Sequence, residues 1–309
     1  MSNGAELSRN SDPLLTSTLV KKRDTFISQA WRRYKKNKLA LFGLVFLTLL
    51  VFSAILAPII VTHDPYVSIK NADGKILALQ SPSSEHILGT DSLGRDVFSR
   101  IIYGGRVSLS VALVAVAIST VIGVFLGVTA GYFGRWIDTI IMRITDVVIC
   151  FPVLFLVISV ATLLEPNMYN VMIVIGLVGW TTMTRLVRGE VLRIRQMEYI
   201  EAARALGQNT VLTVARHILP NIMAPIIVQA TLQTAEAILA ESALSFLGVG
   251  VQQPIPSWGN MLNDATSISI LSFSPWVWAP PGIAILLTIL CINFLGDGLR
   301  DALDPKMKK

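Results

Sequence analysis

Charge is scarce in this sequence. Only 15% of the 309 residues are Asp, Glu, Lys or Arg, whereas 53% are hydrophobic and the mean hydropathy is +0.62. A soluble domain carries about 25% charged residues, so the ordinary globular class is excluded. Cysteine is nearly absent as well. Cys150 and Cys291 are far apart and outside any CxxC spacing, which excludes a disulfide framework and reads as two small apolar packers in membrane helices. The three histidines, His63, His86 and His217, fall on different loops. With two sides of a membrane between them, no metal cluster is expected. The chain has no GxxxxGK[ST] loop to cradle a nucleotide and no GxSxG turn to expose a nucleophile. It is read as a non-enzyme that holds no cofactor; any ATP it depends on is bound by another chain.

What the sequence has is long apolar runs. A crossing needs about 20 apolar residues, and six stretches qualify: 39–61, 107–132, 147–164, 167–183, 222–247 and 276–295. The third and fourth are parted only by Glu165 and Pro166, which predicts a tight turn. The fifth carries Glu236 and Glu241. With the N-terminus inside, 21 of the 26 Lys and Arg fall on the cytoplasmic side and five, Lys70, Lys75, Arg95, Arg100 and Arg106, outside. The bias puts both termini in the cytoplasm. The net charge of +6 is therefore topological and gives no reason to expect nucleic acid as a partner. The lipid bilayer is the first partner.

The chain divides into a cytoplasmic segment 1–38, a first membrane helix 39–61, an extracytoplasmic loop 62–106, a membrane core 107–300 containing a cytoplasmic loop 188–221, and a tail 301–309. The first twenty residues are polar and aperiodic, a disordered lead. After them Phe26, Ile27, Ala30, Trp31 and Tyr34 share one helical side and Arg32, Arg33, Lys35, Lys36 and Lys38 the other. That is an interfacial helix, or simply a positive clamp for the next span. In GTDSLGRDVFSR the pairs Asp91/Arg95 and Asp96/Arg100 are each four apart, which predicts an amphipathic helix with paired charges on a wet face. Gly123, Gly127 and Gly131 form a small-residue ridge for a closely packed helix, with the partner left open. No internal repeat supports an inverted-repeat transporter.

The loop EAARALGQNTVLTVARHILP is too well built for a turn. Glu198 and Glu201 precede Arg204, in keeping with the helix dipole, and Gly207 is placed as a left-handed stop. Ala202, Ala203 and Ala205 leave the helix slim, with Ile200 and Leu206 as larger anchors. A second short helix from about Thr210 to Ile218 is expected to end at Pro220, which fixes re-entry into the membrane. Glu236 and Glu241, five apart, point about 140° from each other. Each either lines a substrate path, attracting an amino terminus or a cation, or is satisfied by a neighbouring helix.

The spacing from EAA through Gly207 to His217-Ile218-Leu219-Pro220 resembles the EAA loop of binding-protein-dependent ABC importer permeases, with His217 where Ile is usual. GTDSLGRDVFSRIIYGGRVSL, SFLGVGVQQPIPSWGNML and NFLGDGLRDALDPK are similar to the dipeptide, oligopeptide and nickel branch, in its second or "C" permease subunit. The resemblance implies an all-α integral membrane protein of the bacterial cytoplasmic (inner) membrane. It has a type I importer-like core in spans 2–6 and an added N-terminal anchor helix. The implied partners are a sister permease subunit, two cytosolic ATPase subunits and an extracytoplasmic solute-binding protein. Glu201, Ala202, Ala203, Arg204, Gly207 and Pro220 are the expected ATPase-coupling residues, and Glu236 and Glu241 the candidates for the pathway. Short peptides, glutathione among them, are the implied cargo, with nickel as the alternative. An ion-gradient-driven secondary transporter is the reading from another class.

Overall fold

The computed structural model describes residues 26–164 and 167–303. The expectations for the disordered lead, the Glu165-Pro166 turn, the last six residues and the side chains of Phe26 and Ile27 lie outside the described residues. The described residues are helical, with two isolated β-bridges, Lys70 to Ile76 and Thr90 to Asp96. In chain order the helices are α1 (Phe26–Tyr34), α2 (Lys38–Ile55), α3 (Ala57–Ile60), α4 (Val97–Phe133), α5 (Arg135–Ile149), α6 (Val153–Thr162), α7 (Met168–Ile194), α8 (Glu198–Ala205), α9 (Thr210–Thr213), α10 (Leu219–Phe246), α11 (Trp258–Leu262), α12 (Ile268–Phe273) and α13 (Pro275–Leu303). A π-helical turn, Val214–Ile218, joins α9 to α10, and a 3₁₀ turn, Asn263–Thr266, follows α11.

Among the described residues, five helical stretches are long and apolar enough to cross a membrane: α2, α4, α7, Thr210–Phe246 and α13. The third expected span, 147–164, falls on the end of α5 and on α6, two helices that meet at a bend of 86°, the geometry of a broken span or a re-entrant loop. Pro152 is the N-cap residue of α6 and supplies no backbone donor to continue α5. Cys150 caps the end of α5 and is exposed there, unlike the buried Cys291; only the second cysteine packs as the sequence suggests.

The glycine ridge on α4 finds its partner within the chain. A Cβ on Gly123 would lie 2.6 Å from the Met183 Cβ, one on Gly127 2.7 Å from the Val187 Cβ, and one on Gly131 2.8 Å from the Val191 Cβ. Gly176 of α7 returns the contact, 2.8 Å from the Ile118 Cβ by the same measure. Without an exclusion of water to drive helices together, close backbone approach supplies the attraction. At about 1.5 Å per residue α4 is about 55 Å long, so it outreaches the bilayer core and carries the packing into the loops at both ends. The anchor helix docks elsewhere. Gly43 of α2 faces the Cys291 carbonyl of α13, while the buried Tyr34 donates to the Ala40 carbonyl at 2.8 Å and packs with Ala302. Trp31 of α1 stays exposed and stacks with Tyr34, and Lys35 lies 5.2 Å over its ring, an arrangement suited to an interface.

Candidate functional site

The loop between α7 and α10 folds back on the end of the α4–α7 pair. Ile200 is fully buried, in a cluster with Met183, Val187, Val191, Ile194, Ile218 and Ile222. One larger side chain therefore fixes α8 to the core. The end of α8 is closed by two bonds, Gly207 N–H to the Arg204 carbonyl at 2.9 Å and Gln208 N–H to the Ala203 carbonyl at 3.0 Å. Gly207 has φ +75°, the left-handed residue of a Schellman closure. Asn209 then caps α9, its Oδ1 accepting from Val211 N at 3.0 Å.

Three details differ from the sequence reading. Ala203 is buried and faces the core, so the open side of α8 is made by Glu201, Ala202, Arg204 and Ala205. Leu206 does not anchor the helix; it is 88% exposed, beside the exposed Val211 and Leu212. Pro220 does not end a helix, because the π-helical turn runs directly into α10 with Pro220 near its first turn, where no N–H is needed. Arg204 lies 4.7 Å over the Tyr132 ring, joining α8 to α4. The end of α7 is similarly tied. Arg195 donates to the carbonyls of Gly131 and Tyr132 at 2.9 and 3.1 Å, and Arg188 grips both oxygens of Asp138 at 2.5 and 2.6 Å. The result is a platform tied at several points, with an apolar, exposed tip among the described residues.

Within the membrane the two glutamates separate. Glu241 is fully buried and accepts from the Ser108 and Ser245 hydroxyls, both at 2.8 Å. Ser108 also receives the backbone N–H of Trp258 at 3.3 Å, and the Trp258 ring fills the space beside Gly104 and Gly105. Glu241 thus binds α10 to α4 and α11 and has no exposed face. Glu236 lies on the exposed side of α10. At the α5–α6 bend a cavity of about 310 Å³ is lined by Ile149, Val153, Val178, Thr181 and Arg185 among others, with Arg185 paired to Asp146 at 2.7 Å.

Outside the membrane the charged run is a buried turn. The Asp91 Oδ1 accepts from Leu93 N and Arg95 N, and helix α4 begins only at Val97, with Asp96 as its cap. Asp91, Arg95, Asp96 and Arg100 are each less than 5% exposed, which overturns the wet face. Arg95 reaches Asp91 at 2.7 Å and Gln253 at 2.7 Å, and Arg100 lies 3.4 Å from Asp91, not Asp96, and donates to the Pro65 carbonyl at 3.0 Å. Ser92 donates to Asp264 at 2.9 Å. Burial raises the Asp264 carboxyl above the usual aspartate range, with the Ser92 bond acting against it. This network joins the loop before α4 to the segment after α10 and was missed because its partners are about 160 residues apart. The separation of the histidines is also corrected: His63 and His86 converge on Asp96, with their donor atoms within 4.8 Å of one another.

Residues 123–309 match the family described as binding-protein-dependent transport system inner membrane component, and residues 25–82 match the N-terminal TM domain of oligopeptide transport permease C. The chain is 46% identical to a dipeptide transport system permease protein of Alkalihalophilus pseudofirmus, over 91% of this chain and 90% of that one. It is 44% identical to the Bacillus subtilis dipeptide transport system permease protein, over 92% and 87%, and 42% identical to a glutathione transport system permease protein of Pectobacterium atrosepticum, over 90% of each. Among solved structures, a chain of the inward-facing MetNI methionine ABC transporter superposes with a TM-score of 0.55 at 16% identity, covering 66% of this chain and 96% of that one.

Proposed function

The chain belongs to the family of binding-protein-dependent transport system inner membrane components, and from that membership we propose that it is one of two permease subunits in an ATP-driven importer of short peptides. The observation that carries the coupling role is the tip of α8: a Schellman-closed helix fixed by Ile200 and Arg204, presenting an exposed Leu206 and a Gly207 with open space around it among the described residues. An apolar side chain so exposed beside a rigid platform suits a protein surface. We assign that surface to a cytosolic ATPase, with Glu201, Ala202, Arg204 and Gly207 in contact and Pro220 setting the entry of α10. Closure of an ATPase pair then pushes α8, and the rigid ties from Arg195, Arg188 and Arg204 pass the displacement to α4, α5 and α7. Both termini face the cytoplasm in this orientation, and the buried network around Asp91 faces the binding protein.

Peptide cargo is favoured over nickel because the similar permeases are named for dipeptides and glutathione. The test is ATP hydrolysis by the complex of both permeases, the ATPases and the binding protein in liposomes. Dipeptides or glutathione should stimulate it at least about threefold and drive uptake, and Ni²⁺ should not. Uptake driven by an ion gradient without ATP would refute the reading.

Glu236 is the pathway candidate that remains, since a charge in a span has a water-filled cavity or a partner beside it. Glu236→Gln is expected to change uptake of cationic relative to anionic peptides severalfold, with little change in melting temperature. Glu241→Leu leaves buried serine hydroxyls without an acceptor and is expected to cost about 1–3 kcal/mol, read as a lower melting temperature with unchanged relative uptake of those peptides. If the two variants show the reverse pattern, the assignment of roles is wrong.

A further inference from the structure

We propose that His63, His86 and Asp96 form an extracytoplasmic site for one divalent transition-metal ion. Three separate pieces of chain meet there: the segment after α3, the loop before the Asp91 turn, and the N-cap of α4. The His86 Nδ1 lies 3.1 Å and the His63 Nδ1 4.0 Å from the same oxygen, Asp96 Oδ1, and the two imidazoles are 4.7 Å apart between centroids. In a four-coordinate site with metal–ligand bonds of about 2.0–2.2 Å, donor atoms are about 3.2–3.6 Å apart. The observed separations straddle that value, so small movements of the His63 and His86 rings complete the set. His63 Nδ1 would exchange its present 2.9 Å hydrogen bond with Thr62 Oγ1 for the ion.

Charge balance points the same way. Asp96 is 1% exposed, and its Oδ2 is occupied by the Ser99 amide and hydroxyl at 2.8 and 2.7 Å, which leaves Oδ1 turned to the histidines. Neither nearby guanidinium reaches it: Arg95 is held by Asp91 and Gln253, and Arg100 by Asp91 and the Pro65 carbonyl. A buried carboxylate is paired or binds a metal ion, and two imidazoles beside Oδ1 can serve either arrangement. His86 is 4% exposed and its Nδ1 already lies at hydrogen-bond distance, 3.1 Å, from that oxygen, so an ion entering there displaces one ring-to-carboxylate hydrogen bond. Two imidazoles and a carboxylate suit zinc and its borderline neighbours over calcium or magnesium. The side chain of His63, 28% exposed, leaves an entry path and room for water ligands. Bound there, the ion would clip the anchor helices α2 and α3 to the outer end of α4.

The test uses the full-length chain, purified in detergent with its associated subunits, stripped with EDTA and titrated with Zn²⁺. The expected result is one zinc bound at micromolar or tighter affinity, with a melting temperature raised by several degrees, since a ligand bound only by the folded state stabilises it. His63→Gln and His86→Gln should each weaken binding at least tenfold and remove the zinc-dependent shift, and Co²⁺ should show visible bands that His63→Gln abolishes. His63 lies at the rim, so that variant decides the matter even where His86→Gln fails to fold. No zinc uptake, or equal uptake by the wild type and His63→Gln, overturns the proposal.

Discussion

Gly127→Leu is expected to remove nearly all folded protein from the membrane. At Gly127 the ridge meets parts that cannot yield: a Cβ there would lie 2.7 Å from the Val187 Cβ and 2.8 Å from the Thr184 backbone oxygen. Valine in a helix holds one χ1 rotamer, and a backbone carbonyl moves only with its helix. Relief therefore demands that α4 and α7 separate along their whole length. Overpacking a core costs about 1–3 kcal/mol when side chains can rearrange, and more is expected where, as here, the obstacle is backbone. Gly127→Ala should give a partial loss, because the clash begins at Cβ. Fluorescence-detected size exclusion of detergent extracts measures both. A Gly127→Leu yield and melting temperature equal to wild type would show that the two helices are not packed through this ridge. Any residual folded fraction should transport poorly, since α7 ends at Ile194, four residues before α8 begins.

The degree to which this architecture was legible depends on the range over which each feature acts. Span lengths and the stop at Gly207 are local: a run of apolar residues, and a glycine three residues beyond Arg204. The ridge was visible as a face, but spacing marks a face and not its occupant, so α7 emerged only from three-dimensional packing. The run from Asp91 to Arg100 misled for the same reason. Four-residue spacing fits a helix, yet the Asp91 carboxylate captures the amides of Leu93 and Arg95 and makes a turn, and Gln253 and Pro65 bury the charges. Glu241 was half legible. Ser245 is one turn away, whereas Ser108 lies 133 positions back. In the loop between α7 and α10 the alternation of small and large residues suggested anchors without saying which way each faced. Ile200 turned inward and Leu206 outward, and Ala203 went with Ile200.

Gly207→Trp is expected to separate coupling from folding, because under the proposed ATPase contact its consequences for the chain and for the complex are opposite. Nothing lies within 4 Å of a Cβ built at Gly207, so a side chain there starts in open space relative to the described residues. The remaining internal cost is the left-handed backbone, φ +75°, about 1–2 kcal/mol for a residue with a Cβ. Membrane insertion and solubilised yield should stay close to wild type. In the proposed complex, the same side chain would stand between α8 and the ATPase surface assigned above to Leu206. Peptide uptake and peptide-stimulated ATP hydrolysis are then expected to fall at least about tenfold, with co-purification of the ATPase reduced. Gly207→Ala, with the same backbone cost and little bulk, should retain most activity, which distinguishes obstruction of the partner from strain in the loop. Equal losses in the alanine and tryptophan variants would locate the defect in the Schellman closure itself. Normal uptake in Gly207→Trp would mean that the tip of α8 does not face the ATPase.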